Sequence, residues 1–210
     1  MNEQALKYLG YMTQTITPEM EAMMEECTKE VEKYAEFKAV YETFTLAHRP
    51  LSIPAIDLNL DYPALNGLIE NCSQCILIAC TLGAGLERRI RYYGKFDQAR
   101  MIVMDAIGSA YVEAQCDAFE KNLNLNQRTY RFCPGYEQTP LSINRKIAKV
   151  LEIHKKIGVE LSESDLMIPQ KSMIGIIGIG DSNHKKTCRN CILKENCDFK
   201  RRNTRCYKID

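Results

Sequence analysis

From Phe96 to about Leu123 the chain carries its longest helical pattern, and that run constrains the fold most. Ala99, Ile102, Val103, Ala106, Ile107, Ala110 and Ala114 recur at three- and four-residue steps and are expected to form one apolar face. Small residues dominate it, so a neighbouring element can approach closely. Asp105, Ser109 and Glu113 follow at four-residue steps and share another face, either a solvated surface or a polar stripe with a function. Around this helix the pattern changes repeatedly. Thr17 and Pro18 read as an N-cap and a first helical residue. Met20, Met23, Met24, Cys27, Val31, Tyr34 and Ala35 then predict a helix of roughly five turns, with the methionines in the core. Residues 37–47 are aromatic and β-branched and predict a strand. Pro50, Pro54 and Pro63 break up the next stretch of chain. Gln74–Thr81 holds an unbroken apolar run, expected as a buried strand that Gly83 and Gly85 end before a helix over Leu86–Tyr93.

The second half alternates in the same way. Gln127–Phe132 alternates loosely as a strand would, and Cys133-Pro134-Gly135-Tyr136 reads as a turn. Ser142 caps a helix with Ile143, Ile147, Val150 and Leu151 inward, stopped by Gly158. Residues 173–180 run Met-Ile-Gly-Ile-Ile-Gly-Ile-Gly. No Lys-Ser/Thr follows, so a strand against which another backbone or a ligand packs closely fits better than a phosphate loop. Helices around separated strands predict an α+β fold.

Composition matters at one point. The chain has 45% hydrophobic and 26% charged residues, with a net charge of +1. That excludes a globally basic nucleic-acid binder. No apolar run reaches the length of a membrane span, and the acidic start is not an export signal, so a cytoplasmic location is expected. The charge is uneven, however. Residues 184–210 hold nine Lys/Arg against three Asp/Glu, which leaves 19 against 24 in residues 1–183. An acidic body over 1–183 and a basic, Cys-rich tail over 184–210 are the two expected domains. Of ten cysteines, Cys27, Cys72, Cys75, Cys80, Cys116 and Cys133 scatter among apolar residues and are expected as reduced, mostly buried thiols. Cys72 and Cys75 read as buried rather than ligating. The other four, Cys188, Cys191, Cys197 and Cys206, crowd the tail. Four thiolates at such spacing can surround one Zn²⁺ or an iron–sulfur cluster, and the flanking cations would lower their pKa. Loose thiols or disulfides are the alternative, and His184 could replace one ligand. His48, beside Arg49-Pro50, reads as structural, and His154, in a helical pattern, as surface or core edge.

Arg131 to Tyr136 is the segment with the most chemistry. A guanidinium can hold a carboxylate bidentately. Pro134 and Gly135 would present backbone groups to a small ligand, and Tyr136 could lie against a flat one. The alternative is a surface turn with an arginine on it. This stretch resembles the activation (reactivation) domain of vitamin-B12-dependent methionine synthase, whose Arg-x-x-x-Gly-Tyr motif marks an S-adenosylmethionine site. Downstream, Leu161-Ser162-Glu163-Ser164 with Met167, Pro169, Ser172 and Gly175 is similar to the same family's signature. Upstream, Thr81-Leu82-Gly83 and Asp105-Ala106-Ile107-Gly108-Ser109 with Glu113 resemble its stand-alone members.

The resemblance implies a bent antiparallel sheet with flanking helices, to which the short Cys-rich C-terminal tail is added. It implies S-adenosylmethionine bound at Arg131, Cys133, Gly135 and Tyr136, with Glu113 near the ligand's positive charge and Tyr136 facing a corrin. It further implies reductive methylation of cob(II)alamin. The family's synthase members carry a Tyr pair after the Gly-rich strand, where this chain has Asn183-His184-Lys185-Lys186. They also use an early acidic residue, for which Asp57 and Asp61 are candidates. The chain has no Asp-x-His-x-x-Gly cobalamin motif, so the corrinoid is expected on a separate methionine synthase polypeptide. The rival readings are a reductive activator of another corrinoid methyltransferase, with the tail as redox centre, and a metal-knuckle interaction protein. No nucleic-acid or membrane partner is expected.

Overall fold

The computed structural model describes residues 2–11, 14–125, 127–136, 138–180, 197–201 and 205. Its helices are α1 (Asn2–Tyr8), α2 (Pro18–Tyr34), α3 (Pro63–Ile69), α4 (Gly83–Tyr93), α5 (Gln98–Asn122), α6 (Ile143–Leu151), α7 (Ile153–Ile157) and α8 (Asp198–Arg201). Its strands are β1 (Lys38–Thr45), β2 (Ala47–His48), β3 (Leu51–Ile53), β4 (Leu58–Asn59), β5 (Gln74–Thr81), β6 (Glu160–Leu161), β7 (Met167–Ile168) and β8 (Ser172–Ile179). The fold is therefore α+β, with small antiparallel sheets and flanking helices. Among the described residues no helix is long and apolar enough to cross a membrane.

The strand order β1-β5-β8 follows from composition. A strand with no polar face must be covered on both sides. Cys75 to Thr81 are all buried, so β5 takes the middle. β1 is mostly exposed and takes an edge. Leu46 N–H donates to Ser73 O at 3.0 Å, and Glu36 N–H to Leu82 O at 2.8 Å, so the end of one strand meets the start of the other and the pair is antiparallel.

The chain divides into two compact units. The first, Met1–Val40 with Ala79–Asn124 and Leu151–Met173, is built on α5, against which α1, α2 and α4 pack. Thr17 caps α2 as expected, its Oγ1 accepting from Met20 N–H at 3.3 Å, and Met24, Cys27 and Val31 form the buried stripe. α5 departs from expectation in its buried face. Val103, Met104, Ala106, Ile107, Gly108, Ala110, Val112 and Cys116 are buried, whereas Ala99, Ile102 and Ala114 are exposed. Contact with α1, α2 and α4 buries a band wider than one stripe, so the simple three-four count drew the face too narrowly and too far round. α4 begins at Gly83, earlier than expected. Gly83 stands at φ +77°, its N–H donating to Thr81 Oγ1 at 3.0 Å, so the glycine opens the helix rather than separating it from β5.

Charges fix the outer side of this unit. Glu30 accepts from Arg89 Nε at 2.6 Å and from Tyr93 Oη at 2.6 Å, while Arg100 reaches Glu26 at 2.8 Å. Burial raises the Glu30 pKa, but the bonds from Arg89 and Tyr93 outweigh it and hold the carboxyl below its ordinary value. The helix expected from Ser142 to Gly158 is broken: Glu152 adopts φ +54° between α6 and α7, and Gly158 then caps α7 at φ +70°. The hairpin of β6 and β7 pairs Glu160 with Ile168 and Leu161 with Met167, so the Leu-Ser-Glu-Ser segment is its turn side.

The second unit is Tyr41–Ile78 with Leu125–Val150 and Ile174–Asp210. The proline-broken stretch makes a three-stranded antiparallel sheet, β2-β3-β4, then α3, which starts on Pro63. Proline suits a first helical position because the missing N–H has no partner there anyway. α6 buries Ile143 and Ile147.

Candidate functional site

Gln127–Phe132 runs alongside β8 as expected of a strand, but in two isolated bridges rather than a continuous ladder. Arg128 pairs with Ile179, and Phe132 with Ile176 through bonds of 2.9 and 2.8 Å. Three residues lie between Arg128 and Phe132, but only two between Ile176 and Ile179. The extra residue makes a bulge, and Thr129 takes up the slack: its N–H donates to Gly178 O at 3.0 Å and its Oγ1 accepts Gly178 N–H at 2.9 Å. Beyond the bulge Phe132 is buried, so the neighbouring Arg131 side chain belongs to the opposite face.

Arg131 is half-buried, and its aliphatic stem lies over Gly175 of β8. A Cβ at position 175 would come within 2.5 Å of Arg131 Cγ and 2.7 Å of Cδ. Gly178 is crowded in the same way by Cys72 Sγ and Ile69. The Gly-interrupted segment is thus a strand with close neighbours, as expected, but those neighbours are side chains rather than another backbone or a ligand.

The turn after Arg131 is held open by a short set of bonds. Gly135 stands at φ +97° and its N–H donates to Thr139 O at 2.9 Å, while Thr139 N–H donates to Tyr136 O at 3.0 Å. Beside it lies a concavity of about 680 Å³ lined by Pro134, Gly135, Tyr136, Gln138, Thr139, Pro140 and Leu141. Tyr136 is 61% exposed. Thr139 is buried, and its Oγ1 has no hydrogen-bond partner among the described residues. Neither Thr139 nor Leu141 carried a signal in the sequence; only the loop's closure puts them at the concavity.

Arg131, Cys133, Gly135 and Tyr136 lie on one loop of the second unit; of the four, Gly135 and Tyr136 line the concavity, and Arg131 and Cys133 do not. Cys133 is a half-buried thiol. Glu113 stands half-buried on α5 in the first unit. In the same stripe, Asp105 Oδ1 and Ser109 Oγ meet Lys171 Nζ at 2.7 and 2.9 Å, so that face is bound within the unit rather than simply solvated. Asp57 and Asp61 have structural work. Asp57, at φ +49°, accepts Lys146 Nζ on its carbonyl and carboxylate, and Asp61 accepts Asn66 Nδ2 at 2.7 Å.

The seven described cysteines are thiols, and Cys27, Cys72, Cys75, Cys80 and Cys116 are buried. Burial pushes Cys75 up to about 12, with Cys72 adding to it, which makes that pair a poor nucleophile. Of the four tail cysteines, Cys197 is half-buried just before α8, while Cys188, Cys191 and Cys206 lie outside the described residues. Among the described residues no three His, Cys, Asp or Glu side chains gather as a metal site would require.

Residues 111–204 match the family model described as "Vitamin B12 dependent methionine synthase, activation domain". Among solved structures the chain is similar to one described as "Crystal Structure of the MetH Reactivation Domain bound to AdoHcy". The TM-score is 0.63 at 16% identity, covering 86% of this chain and 70% of that one. At that identity the likeness is one of fold. No curated protein matches the sequence. The motif resemblance is borne out: residues 111–204 match the vitamin-B12-dependent methionine synthase activation domain, and the chain carries the fold of the reactivation domain.

Proposed function

We propose that this chain binds S-adenosylmethionine on the Arg131–Leu141 loop and serves as a reactivation module for a cobalamin-dependent methionine synthase, acting on a corrinoid held by a partner module. The observation that carries the reading is the concavity of about 680 Å³ on that loop. It falls within the range of small-molecule sites, roughly 300–1,000 Å³. The residues suit the ligand. Arg131 offers a fork for the amino-acid carboxylate. The Gly135 carbonyl meets no backbone donor among the described residues, and the orphan Thr139 Oγ1 supplies a buried polar atom that a ligand could satisfy. The exposed Tyr136 ring would meet the corrin face of the partner. When bound, the sulfonium supplies a methyl group; reductive methylation of cob(II)alamin also requires one electron from an external one-electron donor and releases S-adenosylhomocysteine.

Arg131→Ala tests the site. Loss of a bidentate charged pair should weaken S-adenosylmethionine binding by about 30-fold or more in calorimetric titration, with the far-ultraviolet circular dichroism unchanged. Equal affinity in the variant would remove Arg131 from the site.

A further inference from the structure

We infer that Gly175 is a positioning residue for Arg131, a gap in β8 shaped to the arginine's stem. The register supports this. With Phe132 opposite Ile176, Arg131 falls opposite Ile177, and Gly175 is its diagonal neighbour on the same face of the pair. A side chain at 175 would fill the space the stem occupies, since an added Cβ would sit 2.5 Å from Cγ and 2.7 Å from Cδ. The backbone does not itself call for glycine. Gly83, Gly135, Gly158 and Gly180 have positive φ, whereas Gly175 does not, so its conformation is open to any residue. Glycine inside a strand is otherwise unfavourable, with no side chain to pack and more freedom to lose. The space it leaves for Arg131 accounts for its presence. Ile78 Cγ2, at 3.5 Å from the same point, is at ordinary contact distance and would not resist alanine. The bulge before Phe132 and the gap at Gly175 thus act together: one turns Arg131 onto this face, and the other gives its stem a fixed bed.

The test is a double-mutant cycle, with Gly175→Ala made in the wild type and in Arg131→Ala, read by urea denaturation and by S-adenosylmethionine titration. The stability arm stands on geometry alone, and the affinity arm rests on the proposed ligand. Gly175→Ala should lower the denaturation midpoint in the wild type and leave it unchanged or raised where the stem is gone. In the wild-type background it should also weaken ligand binding, by about 10- to 100-fold, as for a displaced positioning group. Gly178→Ala is the control: it meets Cys72 Sγ, Ile69 and Thr129 instead, so its loss of stability should be the same with or without the Arg131 side chain. An equal midpoint shift for Gly175→Ala in both backgrounds would overturn the inference. If Gly175→Ala fails to fold while the double variant folds, the coupling is confirmed; if both fail, it is refuted. A wild type that binds no S-adenosylmethionine defeats the ligand assignment and leaves the stability arm to decide the role of Gly175.

Discussion

The helical block of the first unit and the Arg131–Leu141 loop of the second are held by opposite means. In the block, α5 is covered by three helices, and its outer charges find partners: Glu30 with Arg89 and Tyr93, Glu26 with Arg100. In the loop, the described contacts are the Phe132–Ile176 pair, one glycine in the left-handed region, two backbone bonds to Thr139 and the bed at Gly175. The loop also leaves a large aromatic exposed and, among the described residues, a buried hydroxyl without a hydrogen-bond partner. Where sequence and fold agree at every level the result is scaffold; where the local rules are broken, a site is the expected reason.

The largest test of this contrast is in the block. Ile107 is fully buried on α5, and Ile107→Ala should cost about 3 kcal/mol in urea denaturation, the transfer loss plus the cavity left behind. A cost under about 1 kcal/mol would mean that the block can collapse around the gap and is less tightly specified than its burial suggests.

Glu30→Gln probes the charges. The Glu30 carboxyl is held below its ordinary value in the folded chain, so its contribution is present above the unfolded pKa and lost as pH falls through the folded one. At neutral pH the variant should be about 1 kcal/mol less stable, since the Arg89 bond loses its charge and both groups are only partly buried. The gap between variant and wild type should hold from neutral pH down to the ordinary carboxylate range and close below it. A gap that stays constant into strong acid would assign the loss to packing and remove the ion pair from the account.

The same contrast explains what the sequence disclosed. α2, β1 and β5 were legible because each is a periodic run with its own punctuation: Thr17-Pro18 for one, an unbroken apolar stretch for another. The apolar face of α5 was drawn too narrowly because the number of helices covering it is a tertiary fact. The β2-β3-β4 sheet was missed because two- and three-residue strands have no period to count, and Pro50 and Pro54 look like breakers until the chain is seen turning at them. At the site, Arg131, Gly135 and Tyr136 stood out as residue types in a motif. Thr139 did not, because nothing marks a threonine that becomes buried when a loop closes. Gly175 was visible as a glycine in a strand, but its partner could not be named, since one extra residue near Thr129 decides which side chain lies over it.

The smallest expected effect is also the one most specific to the loop. Thr139 Oγ1 is buried without a partner among the described residues, so the hydroxyl carries a desolvation cost with no bond in return. Thr139→Val keeps the branched shape and removes that cost, and should raise stability by up to about 1 kcal/mol. In an ordinary protein core the same exchange breaks a hydrogen bond and destabilises. If the hydroxyl is there for a ligand, the gain appears in the free protein and is reversed on binding, with S-adenosylmethionine affinity falling by about 5- to 10-fold, the worth of one neutral hydrogen bond. The two measurements move in opposite directions only for a group that waits for a partner. A variant that is less stable and binds equally well would show that Thr139 serves the loop itself, and the loop would then belong with the helical block as scaffold.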